Sequence, residues 1–137
     1  MSAVEKDIQT ALAVRLQAFQ TAGVPPIAYE NDEYEPVIGT LYLEETFMPN
    51  TKEPVGLSHT SSDDYEGMYQ ITVRSAKGGR RFDAQEQARL LALHFPRGAE
   101  YTYNSTKVKI VTVEVNQGLM VDERYIVPVT VSWRVLA

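Results

Sequence analysis

Residues Tyr65–Phe95 run YEGMYQITVRSAKGGRRFDAQEQARLLALHF. The stretch reads as a strand, a tight basic loop and an amphipathic helix. Met68, Gln70, Thr72 and Arg74 alternate with Tyr69, Ile71, Val73 and Ser75, so the two sets point to opposite faces of a strand. Lys77-Gly78-Gly79-Arg80-Arg81 breaks it, because paired glycines admit backbone angles that a strand cannot hold. Asp83 then reads as a helix N-cap, with Glu86 at capping-box spacing. Ala84, Ala88, Leu91 and Phe95 recur at helical spacing, and Leu90 widens the stripe.

Working outward, the N-terminal side predicts a helix over Ser2–Ala22, with Ser2 and Glu5 at capping-box spacing. Val4, Ile8, Leu12, Leu16 and Phe19 form its apolar stripe. Gly23 suits a C′ position, and Pro25-Pro26 forbid continuation. Ile27–Asn31 is short and extended, and Asn31–Pro36 is an acidic turn. Ile38–Phe47 reads as a strand with Leu41, Leu43 and Phe47 on one face. Glu44 and Glu45 are adjacent on it, so they point apart and cannot form a catalytic pair. Pro49–Asp64 is the longest stretch without period, a connection of the kind that is functional or mobile.

On the C-terminal side the helix ends before Pro96. Tyr101 and Tyr103 share a face of a short strand. In Lys107–Val115, Val108 and Ile110 oppose Val111, Val113 and Val115, which predicts a bulge or burial on both faces. Asn116-Gln117-Gly118 turns the chain. Tyr125, Val127, Val129, Val131, Trp133 and Val135 then alternate onto one face of a closing strand. Pro128 cannot donate to a ladder, which places that strand at an edge or gives it a bulge. The order predicts a single α+β domain over residues 1–137, with a mixed, mostly antiparallel sheet and two helices on one face.

The 137 residues are enough for one real core, and 44% hydrophobic with 23% charged is ordinary globular composition. With no cysteine, disulfides, thiol catalysis and thiolate metal sites are excluded. A net charge of −5 disfavours dedicated nucleic-acid binding. No apolar run is long enough to span a membrane, and charges interrupt the window where a signal peptide would be apolar. The expected compartment is therefore cytoplasm, unless the protein is packed into a particle.

Candidates for chemistry are thin. His59 and His94 are the only histidines. His94 falls in the last helical turn, where an imidazolium suits the dipole. His59 lies four residues before Asp63, and one histidine with one carboxylate is too few ligands for zinc. Ser58, Ser61 and Ser62 flank His59 without a nucleophile elbow. Gly78-Gly79-Arg80-Arg81 lacks both the Lys-Ser/Thr of a P-loop and the third glycine of a dinucleotide fingerprint. Asn104-Ser105-Thr106 matches a glycosylation acceptor, which without an export signal is chance. No cofactor or metal is called for. Eight tyrosines against four phenylalanines suit either a surface that dries on assembly or plain strand preference.

Taken in order, PPIAYEND-x-YEP, GTLYLEETFMP, the Tyr65–Phe95 unit and ERYIVPVTVSW resemble the tail terminator, or tail completion, proteins of long-tailed phages over nearly the whole chain. The resemblance implies a structural virion protein and no enzyme: a sixfold ring on the head-proximal end of the tail tube. Such a ring stops tube polymerisation and offers head-completion or neck proteins a docking surface. Its partners are other copies of itself, the major tail tube protein and a neck protein. DNA only passes through the bore, and no membrane is involved. A neck adaptor or a tube subunit is the alternative within the same class, and a small enzyme or ligand-binding domain the alternative outside it. In a head-to-tail ring, Lys77, Arg80 and Arg81 would face an acidic patch of a neighbour, such as Glu44, Glu45, Asp63 or Asp64.

Overall fold

The computed structural model describes residues 3–30, 33–37, 39–54 and 63–136, with backbone alone for residues 3, 50–54, 63, 64 and 136. Among these residues the order is α1 (Ala3–Gln17), β1 (Ile27–Ala28), β2 (Tyr42–Pro54), β3 (Asp63–Arg74), α2 (Arg81–His94), β4 (Glu100–Tyr103), β5 (Thr106–Val115), β6 (Leu119–Val121) and β7 (Arg124–Leu136). The strands form one sheet in the order β1-β2-β3-β7-β5-β4, with β6 paired to β7. Only β1 against β2 is parallel. The α+β class and the mostly antiparallel sheet are as the sequence predicts.

Alternation builds the sheet's inner face. Tyr69, Ile71 and Val73 of β3 lie beside Val131, Val129 and Val127 of β7, and all six are buried. Phe47 stacks flat on Trp133 at 5.5 Å. Both helices close over this face. Ile8, Leu12 and Leu16 of α1 and Ala84, Ala88, Leu91 and the following Phe95 from α2 enter one continuous core. Each buried Leu or Ile contributes about 1.5–3 kcal/mol relative to exposure. The two alanines let α2 settle close to the sheet. Two reciprocal contacts lock the helices together: Arg15 donates to the His94 carbonyl through Nε at 3.0 Å and Nη2 at 2.8 Å, and His94 Nε2 donates to the Arg15 carbonyl at 2.6 Å.

Several boundaries move. The α1 helix stops at Gln17, because Phe19 and Gln20 donate three residues back and tighten the last turn. Gly23, at φ +77°, serves a separate turn with Ala22 instead of a helix C-cap. The Ser2 cap lies outside the described residues, as do Asn31 and Asp32 of the acidic turn and Ile38 at the expected start of a strand. That strand, β2, begins at Tyr42. It runs on to Pro54, pairing with a β3 that starts at Asp63, so the described ends of the expected loop, 49–54 and 63–64, are paired strand, and the rest of it lies outside the described residues. Its prolines are tolerated because β1 pairs only Leu43 and Glu44, which leaves the rest of β2 an edge. The α2 helix begins at Arg81 with Arg80 as a cap that makes no side-chain bond, so Asp83 lies in the first turn instead of capping it. Glu86 pairs with Arg89 at 2.6 Å, not with a cap. Leu90 is 37% exposed and outside the core.

The valine-rich β7 is central, not an edge. Pro128 pairs with Thr72 of β3, and its carbonyl accepts from Asn116 as β5 leaves the ladder. The next residues of β7, Arg124–Ile126, are taken up by β6. Its missing N–H therefore faces the gap between β5 and β6. In β5 the register shifts between Ile110 and Thr112, so Val111 is an extra residue. That bulge resolves the mixed pattern, turning Val108, Ile110 and Val113 to the same core.

Candidate interaction surface

The loop from β3 to α2 is shaped by its glycines. Gly78 sits at φ +71°, and a Cβ on Gly79 would lie 2.9 Å from the Ala76 carbonyl. Gly79 donates to that carbonyl at 2.8 Å, and Gly78 donates to the Glu123 carbonyl at 3.1 Å, fixing the loop against the β6–β7 turn. Lys77, Arg80 and Arg81 stand exposed around it.

Beyond the loop, α2 exposes an apolar stripe that the sequence reading missed. Phe82 is 70% and Leu93 64% exposed. At about 100° per residue, these two lie about 20° apart on the helix and opposite Leu91, so they point to solvent while Leu91 points to the sheet. The signal was available: both fall off the Ala84–Leu91 stripe and share a face of their own. Leu90 and the Glu86–Arg89 pair lie between them.

The acidic candidates separate into three groups. Glu44 faces outward and pairs with Arg74 at 3.0 Å. Glu45 faces inward and is 4% exposed. It accepts a short hydrogen bond from the Tyr69 hydroxyl and another from the Glu30 amide at 3.2 Å, while the Glu30 carboxylate accepts from the Phe47 amide at 2.7 Å. Glu45 is therefore occupied inside the protomer. Burial first, then the Glu45 charge and bond, push the Tyr69 phenol well above its ordinary value of 10.0. Asp63 and Asp64 begin β3, with their side chains outside the described residues. The strand carries Asp64 about 33 Å from Arg74, at the far end from the basic loop. The structure thus gathers Lys77, Arg80 and Arg81 on one loop and helix start, with Glu45 turned into the protein and the start of β3 at the far end of that strand.

His94 is held with its pKa lowered from 6.5, mainly by burial and also by the Arg15 charge, against the bond to the Arg15 carbonyl. Its ring bonds between the helices, and the lowered pKa runs against the imidazolium that the helix dipole suits. His59 and Ser58, Ser61 and Ser62 lie outside the described residues. Among the described residues no group of three His, Cys, Asp or Glu could hold a metal ion. No helix among the described residues is long and apolar enough to cross a membrane.

A family model for the phage tail terminator protein matches residues 7–133. One solved chain, named without a functional description, superposes with a TM-score of 0.81 at 22% identity, covering 99% of this chain and 98% of the other. A chain from the virion of a native gene transfer agent particle superposes with a TM-score of 0.66 at 15% identity, over 100% of both chains. At such identities the likenesses speak to fold alone. No curated protein matches the sequence.

Proposed function

This chain belongs to the phage tail terminator family, a family of structural proteins of the virion tail, and on that premise we propose that it works by closing into a ring, of six copies, on the head-proximal end of the tail tube. The ring ends tube polymerisation and presents its other rim to head-completion or neck proteins. The proposal needs no catalytic residue.

The observation that carries it is the stripe of Phe82, Leu90 and Leu93 beside the exposed Lys77, Arg80 and Arg81. Large apolar side chains this exposed, rimmed by cations, mark a surface that is covered in an assembly. Asp63 and Asp64 sit at the opposite end of the same protomer. A cationic cluster and an aspartate pair at opposite ends of β3 suit a heterologous contact, in which one subunit's cations meet the next one's aspartates and the rotation closes. An acidic chain also lets DNA pass without being held, since phosphates are retained by cations.

Charge reversal tests this directly. The variant carrying Arg80→Glu and Arg81→Glu should lose ring formation or tube capping, read by light scattering and electron microscopy, while keeping the circular dichroism of the wild type. Unchanged assembly would remove these arginines from the interface.

A further inference from the structure

On the outer face of the sheet, at the corner where β2, β3 and the β6–β7 turn meet, lies a cavity of about 530 Å³. Arg74, Lys77 and Arg124 line it. Arg124 is 8% exposed, yet among the described residues it meets no carboxylate. Its Nη1 donates to the Ser75 carbonyl at 2.7 Å, and its guanidinium lies 5.2 Å from the centre of the Tyr42 ring. Arg74 gives one nitrogen to Glu44 at 3.0 Å, while its Nε is buried and has no acceptor among the described residues. Guanidinium groups withdrawn from water are stable only when something returns the lost solvation, and the commonest donor of it is an anion.

We propose that this pocket receives a side-chain carboxylate from a peptide segment of a partner protein, an Asp or Glu next to an apolar residue. The planar forks of two arginines match a carboxylate's two oxygens. Pro36, Tyr42 and Val121 supply apolar wall for the neighbouring side chain. A nucleic acid fits less well. Asp122 in its lining and the net charge of −5 repel a polyanion. One protomer forms the whole site, so it stands or falls separately from the ring.

The test is a titration of the isotope-labelled full chain, followed by NMR, with three probes: a blocked Leu-Glu-Leu tripeptide, its Leu-Gln-Leu counterpart and inorganic phosphate. The Glu peptide should shift the Tyr42 and Val121 amides and the Arg124 side-chain N–H, and bind roughly tenfold more tightly than the Gln peptide. Asp122→Asn should tighten binding and Lys77→Ala weaken it, each by roughly two- to fivefold. Both positions are exposed, and Asn tolerates the positive φ of 49° at residue 122, so the fold survives either change. Equal response to the two peptides, no shift at these residues, or tighter binding of phosphate would each overturn the proposal.

Discussion

At the scale of single residues, the group with the most at stake is Tyr69. Its hydroxyl is buried and donates to a carboxylate that is itself held by two strands and the Glu30 amide. Tyr69→Phe removes the donor and leaves Glu45 short of a partner, so it should destabilise the protein by about 1–3 kcal/mol in urea unfolding. The linkage has a definite sign. The folded pKa lies above the unfolded 10.0, so the folded state holds the proton more tightly. The contribution is complete below pH 10.0 and lost as pH rises past it. The Phe variant should lose that part of the alkaline decline, and an identical alkaline slope in both proteins would refute the assignment. His94 works from the other side. Its folded pKa is below 6.5, so its contribution is complete above pH 6.5 and falls away as pH drops through the folded value. Replacing His94 with Gln should flatten stability between pH 6.5 and the onset of general acid unfolding. Glu45 shows what sequence could and could not say about such residues. Alternation put it opposite Glu44. Its inward role depends on a tyrosine from the next strand, and no local pattern announces a partner 24 residues away.

At the scale of elements, the legible ones were those whose burial follows their own period. The α2 stripe, the β3 alternation and the long β7 alternation all carried over, because each presents one face to one core. The hairpin extension of β2 did not, since its pairing comes from β3 and not from an amphipathic pattern. The three-residue β6, Leu119-Met120-Val121, is apolar but mostly exposed and too short to show a period. Pro128 misled because its consequence depends on where β5 ends, which is a property of the neighbour. Two predictions belong here. Arg15→Ala breaks both bonds to the His94 carbonyl and the contact with the Tyr101 ring at 5.1 Å. It should loosen α1 from α2 and destabilise by about 1–3 kcal/mol, with faster hydrogen exchange at the end of α2. The outer face of α2 should behave oppositely. Phe82→Ser with Leu93→Ser changes two solvent-facing positions, so protomer stability should stay within about 0.5 kcal/mol of wild type per site. Assembly should fail nonetheless. A large loss of protomer stability with assembly retained would show that the stripe serves the fold.

At the scale of the whole molecule, the described structure is one sheet and two helices around a core, with Glu30, Glu45 and His94 engaged in holding elements together. The family was legible from the order of motifs, because order and spacing survive where individual side chains drift. Of the two proposed surfaces, the basic loop breaks a strand and is visible in sequence, whereas the Arg124 pocket is made by segments distant in the chain. The central claim is that the protein stops a tube by assembling on its end. The most direct measurement is electron microscopy of the purified protein mixed with its tail tube protein. Short blunt tubes bearing a ring at one end are the expected result. Long uncapped tubes, or long tubes built by this protein alone, would contradict it.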